Sequence, residues 1–134
     1  MGPLPADPSF SLRESMPAIA GSVKVARHAV RRFAADLEVD VDAIVLAVSE
    51  AVSNVVMHAY PARANPGEFE LRGRASPSEV TLEIVDSGRG LGHGASSAGA
   101  GLGLGIIERL AEAVELDDSP GGVALTMHFR RRAR

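Results

Sequence analysis

The hydrophobic periodicity changes along the chain, and the order of the changes constrains the fold more than any other feature. Apolar residues recur every three or four positions over residues 18–37 and 40–59, as in amphipathic helices. They then alternate with polar residues over 68–74, 80–86 and 123–129, as in half-buried strands. Helices followed by mostly sequential strands favour an α+β fold over a parallel doubly wound fold. We therefore expect a two-layer α/β sandwich in which helices cover one face of a mixed, mostly antiparallel sheet.

The remaining segments predict shorter elements and connections. These are an edge strand over 9–14, loops over 61–67 and 87–101, a turn at 76–78, a helix from near residue 102 to near 113, a short strand over 114–117 and a turn over 118–122. The length of 134 residues suits a single domain. We expect this domain to span 9–130, between a loose N-terminal arm (1–8) and a basic tail (131–134).

Composition and charge exclude several classes of function. Cysteine is absent, which excludes disulfides and thiolate metal sites, and the four histidines lack the spacing of zinc ligands. The net charge of −3 gives no broad basic field for direct nucleic-acid binding. The C-terminal arginines are expected to be solvated, namely Arg130, Arg131, Arg132 and Arg134. The N-terminus does not resemble a signal peptide and no apolar run is long enough to span a bilayer, so we expect a cytoplasmic protein without a membrane anchor.

The second predicted helix carries polar residues in a pattern that suits phosphate chemistry. Its apolar residues share one broad arc, namely Ile44, Val45, Val48, Ala51, Val52, Val55, Val56 and Ala59. Glu50, Asn54 and His58 follow one another at every fourth position and form a stripe that borders this arc. Asn54 can offer a neutral oxygen to Mg²⁺, and Glu50 can deprotonate a hydroxyl or orient a water near a terminal phosphate. A solvated helix face is the alternative interpretation.

Two glycine-rich segments follow this helix in the sequence. Asp86 ends the clearest strand and precedes Ser87-Gly88-Arg89-Gly90, so a flat ring can lie against bare backbone while the carboxylate accepts from an exocyclic amine. Residues 99–105 run into the next predicted helix, where glycines let phosphate approach backbone N–H groups. Neither segment matches the dinucleotide fingerprint or the P-loop motif. Taken singly, they are also compatible with a turn and a connector.

Together, the three segments resemble a known superfamily. Glu50-Ala-Val-Ser-Asn54-Val-Val-Met-His58-Ala-Tyr60 is similar to the N box of the GHKL ATPase and kinase superfamily. Asp86-Ser-Gly88-Arg-Gly90-Leu is similar to its G1 box, and Gly101-Leu-Gly103-Leu-Gly-Ile-Ile-Glu to its G2 box. The form of the N box in so short a chain most resembles the anti-sigma-factor serine kinases. The resemblance covers about residues 10–130 and implies the Bergerat-type ATP-binding fold.

The resemblance also implies a role for each motif residue. Glu50 corresponds to the base for phosphoryl transfer, Asn54 to the Mg²⁺ ligand, and Asp86 to the acceptor for the adenine amino group. The other implied contacts to ATP or ADP come from Gly88 and Gly90 at the adenine, and from Gly101, Leu102, Gly103 and Leu104 at the phosphates.

Proteins of this family usually form homodimers, sequester an RNA polymerase sigma factor and phosphorylate a serine on an anti-anti-sigma (STAS-type) protein, so we expect these partners here. Two departures favour an alternative, a nucleotide-binding regulatory module of the same fold with weak or no kinase activity. Gly99 or Ala100 stands where relatives often carry a basic residue before the G2 box, and Val123 stands where many place a Thr beside adenine. A detached histidine-kinase catalytic domain and a gyrase- or chaperone-like ATPase are further alternatives, and both would need additional segments.

Overall fold

One five-stranded sheet and the helices packed on it make up the described part of the chain, residues 10–59, 67–86, 104–119 and 122–132 of the computed structural model. The elements in chain order are β1 (Phe10–Pro17), α1 (Gly21–Ala34), α2 (Val41–Asn54), a π-helix (Val55–Ala59), β2 (Glu68–Ala75), β3 (Glu79–Asp86), α3 (Leu104–Leu110), β4 (Ala113–Ser119) and β5 (Gly122–Arg130). The strand order is β1-β2-β3-β5-β4, and every pair is antiparallel. The predicted α+β class is confirmed.

The alternation of residues along the strands determines which face of the sheet carries the helices. Leu71, Ile84 and Leu125 are cross-strand neighbours at the centre of the sheet, and all three are buried. Helix residues such as Val30 and Val48 are buried in the same core. Removing this apolar surface from water is the main driving force for folding. The helices therefore cover one face, as the periodicity predicted.

The opposite face of the sheet carries a network of charged side chains. Arg13 Nε lies 3.3 Å from Glu70 Oε2, and Arg72 binds both Glu70 and Glu83. Thr126 Oγ1 donates to Glu83 Oε2 at 3.1 Å. Burial alone would raise the pKa of Glu70, but hydrogen bonding and charge from Arg72, and then from Arg13, hold it below its ordinary value. This network extends from β1 to β5 and gives the sheet a polar second face.

The first two helices differ slightly from their predicted bounds. α1 begins at Gly21 rather than near residue 18. Ala18 N donates to Gly67 O at 2.9 Å, so residue 18 still belongs to the connection between β1 and α1. α2 follows Asp40, whose carboxylate accepts from Ala43 N at 3.1 Å as an N-cap. The prediction of one α-helix to residue 59 was wrong in its last turn, which is π-helical after Asn54.

The third helix is shorter than predicted. α3 ends at Leu110 instead of near residue 113, because Ala113 already pairs with His128 in the β4–β5 ladder. That ladder continues to Ser119 opposite Gly122, so the turn is shorter than the predicted range of 118–122. Tertiary pairing with β5 therefore overrides the helical pattern at this boundary.

The segment after β5 is anchored to two other parts of the fold. Arg131 Nη1 donates to Ser76 O at 2.7 Å, and Nη2 donates to Glu38 Oε1 at 2.8 Å. The Arg131 side chain is only 19% exposed, so the prediction of a solvated end was wrong for this arginine. Arg134, the predicted arm over 1–8 and the predicted loop over 87–101 lie outside the described residues, and so does the predicted loop over 61–67 except for Gly67.

Candidate functional site

α2 carries two of the predicted site residues near its C-terminal end. Glu50 is half-buried, and Asn54, one turn later, is 9% exposed. The residues between them include Ala51 and Val52, which are fully buried in the core. Asn54 therefore lies at the edge of the core-facing side of α2. This placement argues against the interpretation of Asn54 as part of a solvated face.

The helix changes its winding directly after Asn54. Val55 N–H donates to both Ala51 O and Val52 O, and the chain then continues as a π-helix to Ala59. Single π-helical turns are rare and frequently occur at functional sites. The predicted stripe assumed α-helical spacing as far as His58, and the π-helical turn changes this spacing after Asn54.

Asp86 is the last residue of β3 and is 1% exposed. Its position in the strand alternation places it on the helix-covered face with Leu82 and Ile84. Its cross-strand neighbours are Phe69 on β2 and Val123 on β5, each 2% exposed. Burying a carboxylate beside apolar side chains costs free energy unless hydrogen bonds or an opposite charge compensate for the lost water.

Sequence reasoning missed Phe69 as a neighbour of Asp86. The register of the hairpin that β2 and β3 form identifies this neighbour. Ala75 pairs with Val80 across the turn, and counting back along both strands places Phe69 opposite Asp86. The predicted turn at 76–78 would pair Ala75 with Glu79 and place Glu68 opposite Asp86, so only the observed register identifies Phe69 as the neighbour.

α3 places the end of the glycine-rich segment beside α2. Leu104 is the first residue of α3 and packs against the core cluster, and Ile107 is fully buried. α3 also contacts α2, which carries Glu50 and Asn54. The remaining predicted contact residues, Gly88, Gly90, Gly101, Leu102 and Gly103, lie outside the described residues, so their roles stay predictions.

Few polar residues are buried in the described ranges, so their positions help to identify a functional site. They are Ser22, Asn54, Thr81 and Asp86. Ser22 Oγ donates to Pro17 O, and Thr81 Oγ1 lies 3.2 Å from His128 Nδ1. The other two are the residues predicted to bind Mg²⁺ and adenine.

The protein groups that could coordinate a metal ion here suit Mg²⁺ better than a metal ion whose ligands all come from the protein. Within the described ranges, no group of three or more His, Asp or Glu residues could hold a metal ion. Mg²⁺ commonly takes one or two protein oxygens and completes its shell with water and phosphate oxygens. An amide oxygen from Asn54 is compatible with that mode of binding.

Two other structural observations concern the surroundings of this site. Two open cavities that described residues line lie at the end of the sheet opposite Asp86, near Arg130. None of the described helices has the length and apolar character needed to cross a membrane.

Comparison with known proteins agrees with this arrangement. Residues 16–129 match the family model of the histidine kinase-like ATPase domain. Over 69 residues the chain is 36% identical to an anti-sigma F factor of Caldanaerobacter subterraneus subsp. tengcongensis and 39% identical to one of Clostridium botulinum (strain Eklund 17B / Type B). These alignments cover 49% of this chain and 47% and 48% of the two relatives, so the chain spans about half the length of the curated relatives it matches. Because the family model covers most of the sequence and the fold agrees with it, the chain belongs to the histidine kinase-like ATPase domain family, as its resemblance to the GHKL superfamily predicted.

Proposed function

We propose that the chain is an ATP-binding anti-sigma factor that sequesters a sigma factor and phosphorylates a serine on an anti-anti-sigma (STAS-type) protein. The observation that carries the nucleotide part is the burial of Asp86 at the end of β3, on the face that the helices cover. The partner part is supported by the relatives that are named anti-sigma F factors. We further propose that the protein acts in the cytoplasm as a homodimer, without binding nucleic acid directly.

Asp86 is proposed to recognise adenine. Its carboxylate accepts a hydrogen bond from the exocyclic amino group, while Phe69 and Val123 supply apolar surface on the strands to either side. Gly88 and Gly90 let the flat ring approach the backbone. A carboxylate oxygen that accepts from the adenine amino group discriminates against bases that carry a carbonyl oxygen there, because two acceptors would then face each other.

Asn54 and the start of α3 are proposed to hold the phosphates and their cation. The amide oxygen of Asn54 binds Mg²⁺, whose other ligands are water and phosphate oxygens. The phosphates face backbone N–H groups, and at the glycines no side chain blocks their approach to the backbone. These N–H groups belong to Gly101, Leu102, Gly103 and Leu104. This arrangement places the terminal phosphate near α2.

Glu50 is proposed to act as the general base. One helical turn separates it from Asn54, a rise of about 6 Å. Glu50 accepts the proton of the partner's serine hydroxyl as the serine oxygen bonds to the γ-phosphorus. The bond between that phosphorus and the bridging oxygen breaks, and the products are phosphoserine and ADP.

The alternative is a nucleotide-binding regulatory module that transfers phosphate slowly or not at all. The observation that favours it is the sequence before the G2 box, where Gly99 and Ala100 offer no positive charge. A cation at the γ-phosphate contributes several orders of magnitude to phosphoryl transfer in related chemistry. Both proposals require the same ATP site, and only the kinase requires Glu50.

Thermal unfolding with Mg·ATP and Mg·GTP tests the shared ATP site. We expect Mg·ATP to stabilise the wild type, by about 2.7 kcal/mol when its concentration is about 100 times Kd. Asp86→Asn should lose this stabilisation and respond relatively better to Mg·GTP, because an amide nitrogen can donate to the guanine oxygen. Asp117→Asn, the same change at an exposed position on β4, is the control and should behave as the wild type. A wild type that ignores ATP at about millimolar concentration, or an Asp86→Asn variant that binds ATP normally, would refute the proposed site.

A further inference from the structure

Two open cavities adjoin each other at the end of the sheet opposite Asp86. One has a volume of about 480 Å³ and is lined in part by residues 130–132. The other has about 270 Å³ and is lined in part by Arg109. The two cavities share Glu112 and Arg130, so they form one continuous surface. We call this surface, which contains Arg109, Glu112 and residues 130–132, the arginine groove.

The four arginines of the groove differ in how strongly they are already bound. Arg131 is fixed by the contacts described above. Arg130 Nη2 donates to Glu112 Oε2 at 2.8 Å, but both side chains are more than half exposed, so this pair contributes little stability. Among the described residues, the exposed Arg109 and Arg132 take part in no ion pair. A ligand carboxylate can therefore bind Arg109 and Arg132 without breaking an internal contact.

Apolar surface lies directly beside these cations. Leu110, Ala111 and Phe129 line the same cavity as Arg109. Arginine next to apolar surface is typical of protein interfaces, whereas charge alone would suit any anion. The lining therefore favours a ligand that combines carboxylates with an apolar side chain.

Acidic residues in the groove argue against a nucleic acid as its ligand. Asp40, Glu79 and Glu112 lie among the arginines, and the whole chain has a net charge of −3. A nucleic-acid backbone would carry closely spaced phosphates past these carboxylates. A short acidic peptide can instead place its few carboxylates on the arginines. We propose that the arginine groove binds an acidic segment of a partner protein, with an apolar side chain of that segment seated beside Phe129.

The arginine groove is separate from the proposed ATP site. β3 begins with Glu79 in the groove and ends with Asp86, and its eight residues span about 23 Å. α3 begins with Leu104 near the proposed phosphate contacts and ends with Leu110 in the groove. An acidic segment can therefore bind while nucleotide is present, and the proposal for the arginine groove does not depend on the proposed function.

Fluorescence anisotropy of a labelled peptide tests the groove. The probe is a short fluorescein-labelled peptide that combines Glu and Leu residues, titrated with the full chain at low salt. We expect saturable binding that Arg109→Glu together with Arg132→Glu weakens by about tenfold or more, because favourable charge contacts become repulsive. Binding should also weaken as NaCl rises from about 50 to about 300 mM, because salt screens exposed charges. Both arginines are exposed, so the core is expected to stay intact.

Lys24→Glu together with Arg27→Glu is the matched control, because it makes the same total charge change at two exposed positions on α1. It should leave peptide binding unchanged, and a peptide with Gln in place of Glu should not bind. The proposal is overturned if the α1 control variant weakens binding as much as the groove variant does, if the neutral peptide binds equally well, or if single-stranded DNA binds the groove more tightly. It is also overturned if no saturable binding occurs up to about millimolar concentration. The Mg·ATP thermal shift of the groove variant should equal that of the wild type, which separates failure of the groove from failure of the ATP site.

Discussion

Asp86 on β3 lies directly opposite Val123 on β5, and both side chains are almost completely buried. This pairing places a methyl-bearing side chain beside the carboxylate that is proposed to bind adenine. The family resemblance implies a Thr at this position in many members, so Val123 departs from that pattern beside the residue proposed to bind adenine. The consequence can be measured separately for nucleotide affinity and for stability.

Val123→Thr is predicted to bind Mg·ATP several times more tightly than the wild type. A hydroxyl beside Asp86 adds a hydrogen-bonding group at the adenine edge, and one such bond contributes about 1 kcal/mol. Without nucleotide the variant should lose about 1 kcal/mol of stability, because the hydroxyl replaces a buried methyl group. Isothermal calorimetry and urea unfolding measure the two effects. Val123→Ala, which removes methyl groups without adding a hydroxyl, should lose stability without gaining affinity; equal ATP affinity in Val123→Thr and the wild type would contradict the prediction.

Glu50→Gln is predicted to retain Mg·ATP binding and to lose phosphoryl transfer by about 100-fold or more, because general-base catalysis contributes on this scale. The measurement uses radiolabelled ATP and a STAS-type anti-anti-sigma protein, with detection of phosphoserine. Glu108→Gln on α3 makes the same change at an exposed position and serves as the control. If the wild type binds ATP but forms no phosphoserine, the regulatory-module alternative is supported instead.

Gly73→Ala is predicted to destabilise the fold by about 1–3 kcal/mol. A Cβ atom at position 73 would lie 3.1 Å from two ring atoms of Phe33 and 3.2 Å from the Leu12 Cβ. Gly105→Ala is the matched comparison, because a Cβ atom there meets nothing within 4 Å. It should stabilise α3 by about 0.5 kcal/mol through higher helix propensity. Urea unfolding of both variants checks the prediction, which fails if the two changes have the same sign.

Glu70→Gln is predicted to lower stability at neutral pH by about 0.5–1 kcal/mol, with the difference disappearing in acid. The pKa of Glu70 is subject to desolvation, which raises it, but Arg72 and Arg13 lower it below its ordinary value of 4.5. A depressed folded-state pKa means that the carboxylate stabilises the fold above pH 4.5 and that this contribution is lost as pH falls through the lower folded value. Urea unfolding from about pH 7 to about pH 3 tests this prediction. Glu68→Gln, at an exposed position on the same strand, is the control; a wild-type advantage that is unchanged in acid would contradict the mechanism.

Local patterns in the sequence were sufficient for most of the fold. Alternation predicted β2, β3 and β5 to within one or two residues, since a strand with one buried face must alternate. The helical repeat predicted the start of α2 to within one residue, and the N-cap at Asp40 is likewise a contact between near neighbours in the chain. The spacing and sequence context of Glu50, Asn54 and Asp86 likewise predicted the family, whereas the roles of these residues stay predictions.

Contacts between distant segments were decided only by the tertiary structure. The pairing of β4 with β5 ended α3 early, and the burial of Asn54 followed from how α2 packs on the core. The prediction that Arg131 is solvated failed because its partners, Glu38 and Ser76, lie far away in the sequence. Local sequence patterns specify which residues prefer to be buried or helical, whereas the neighbours of a side chain depend on strand register and helix packing across the whole chain.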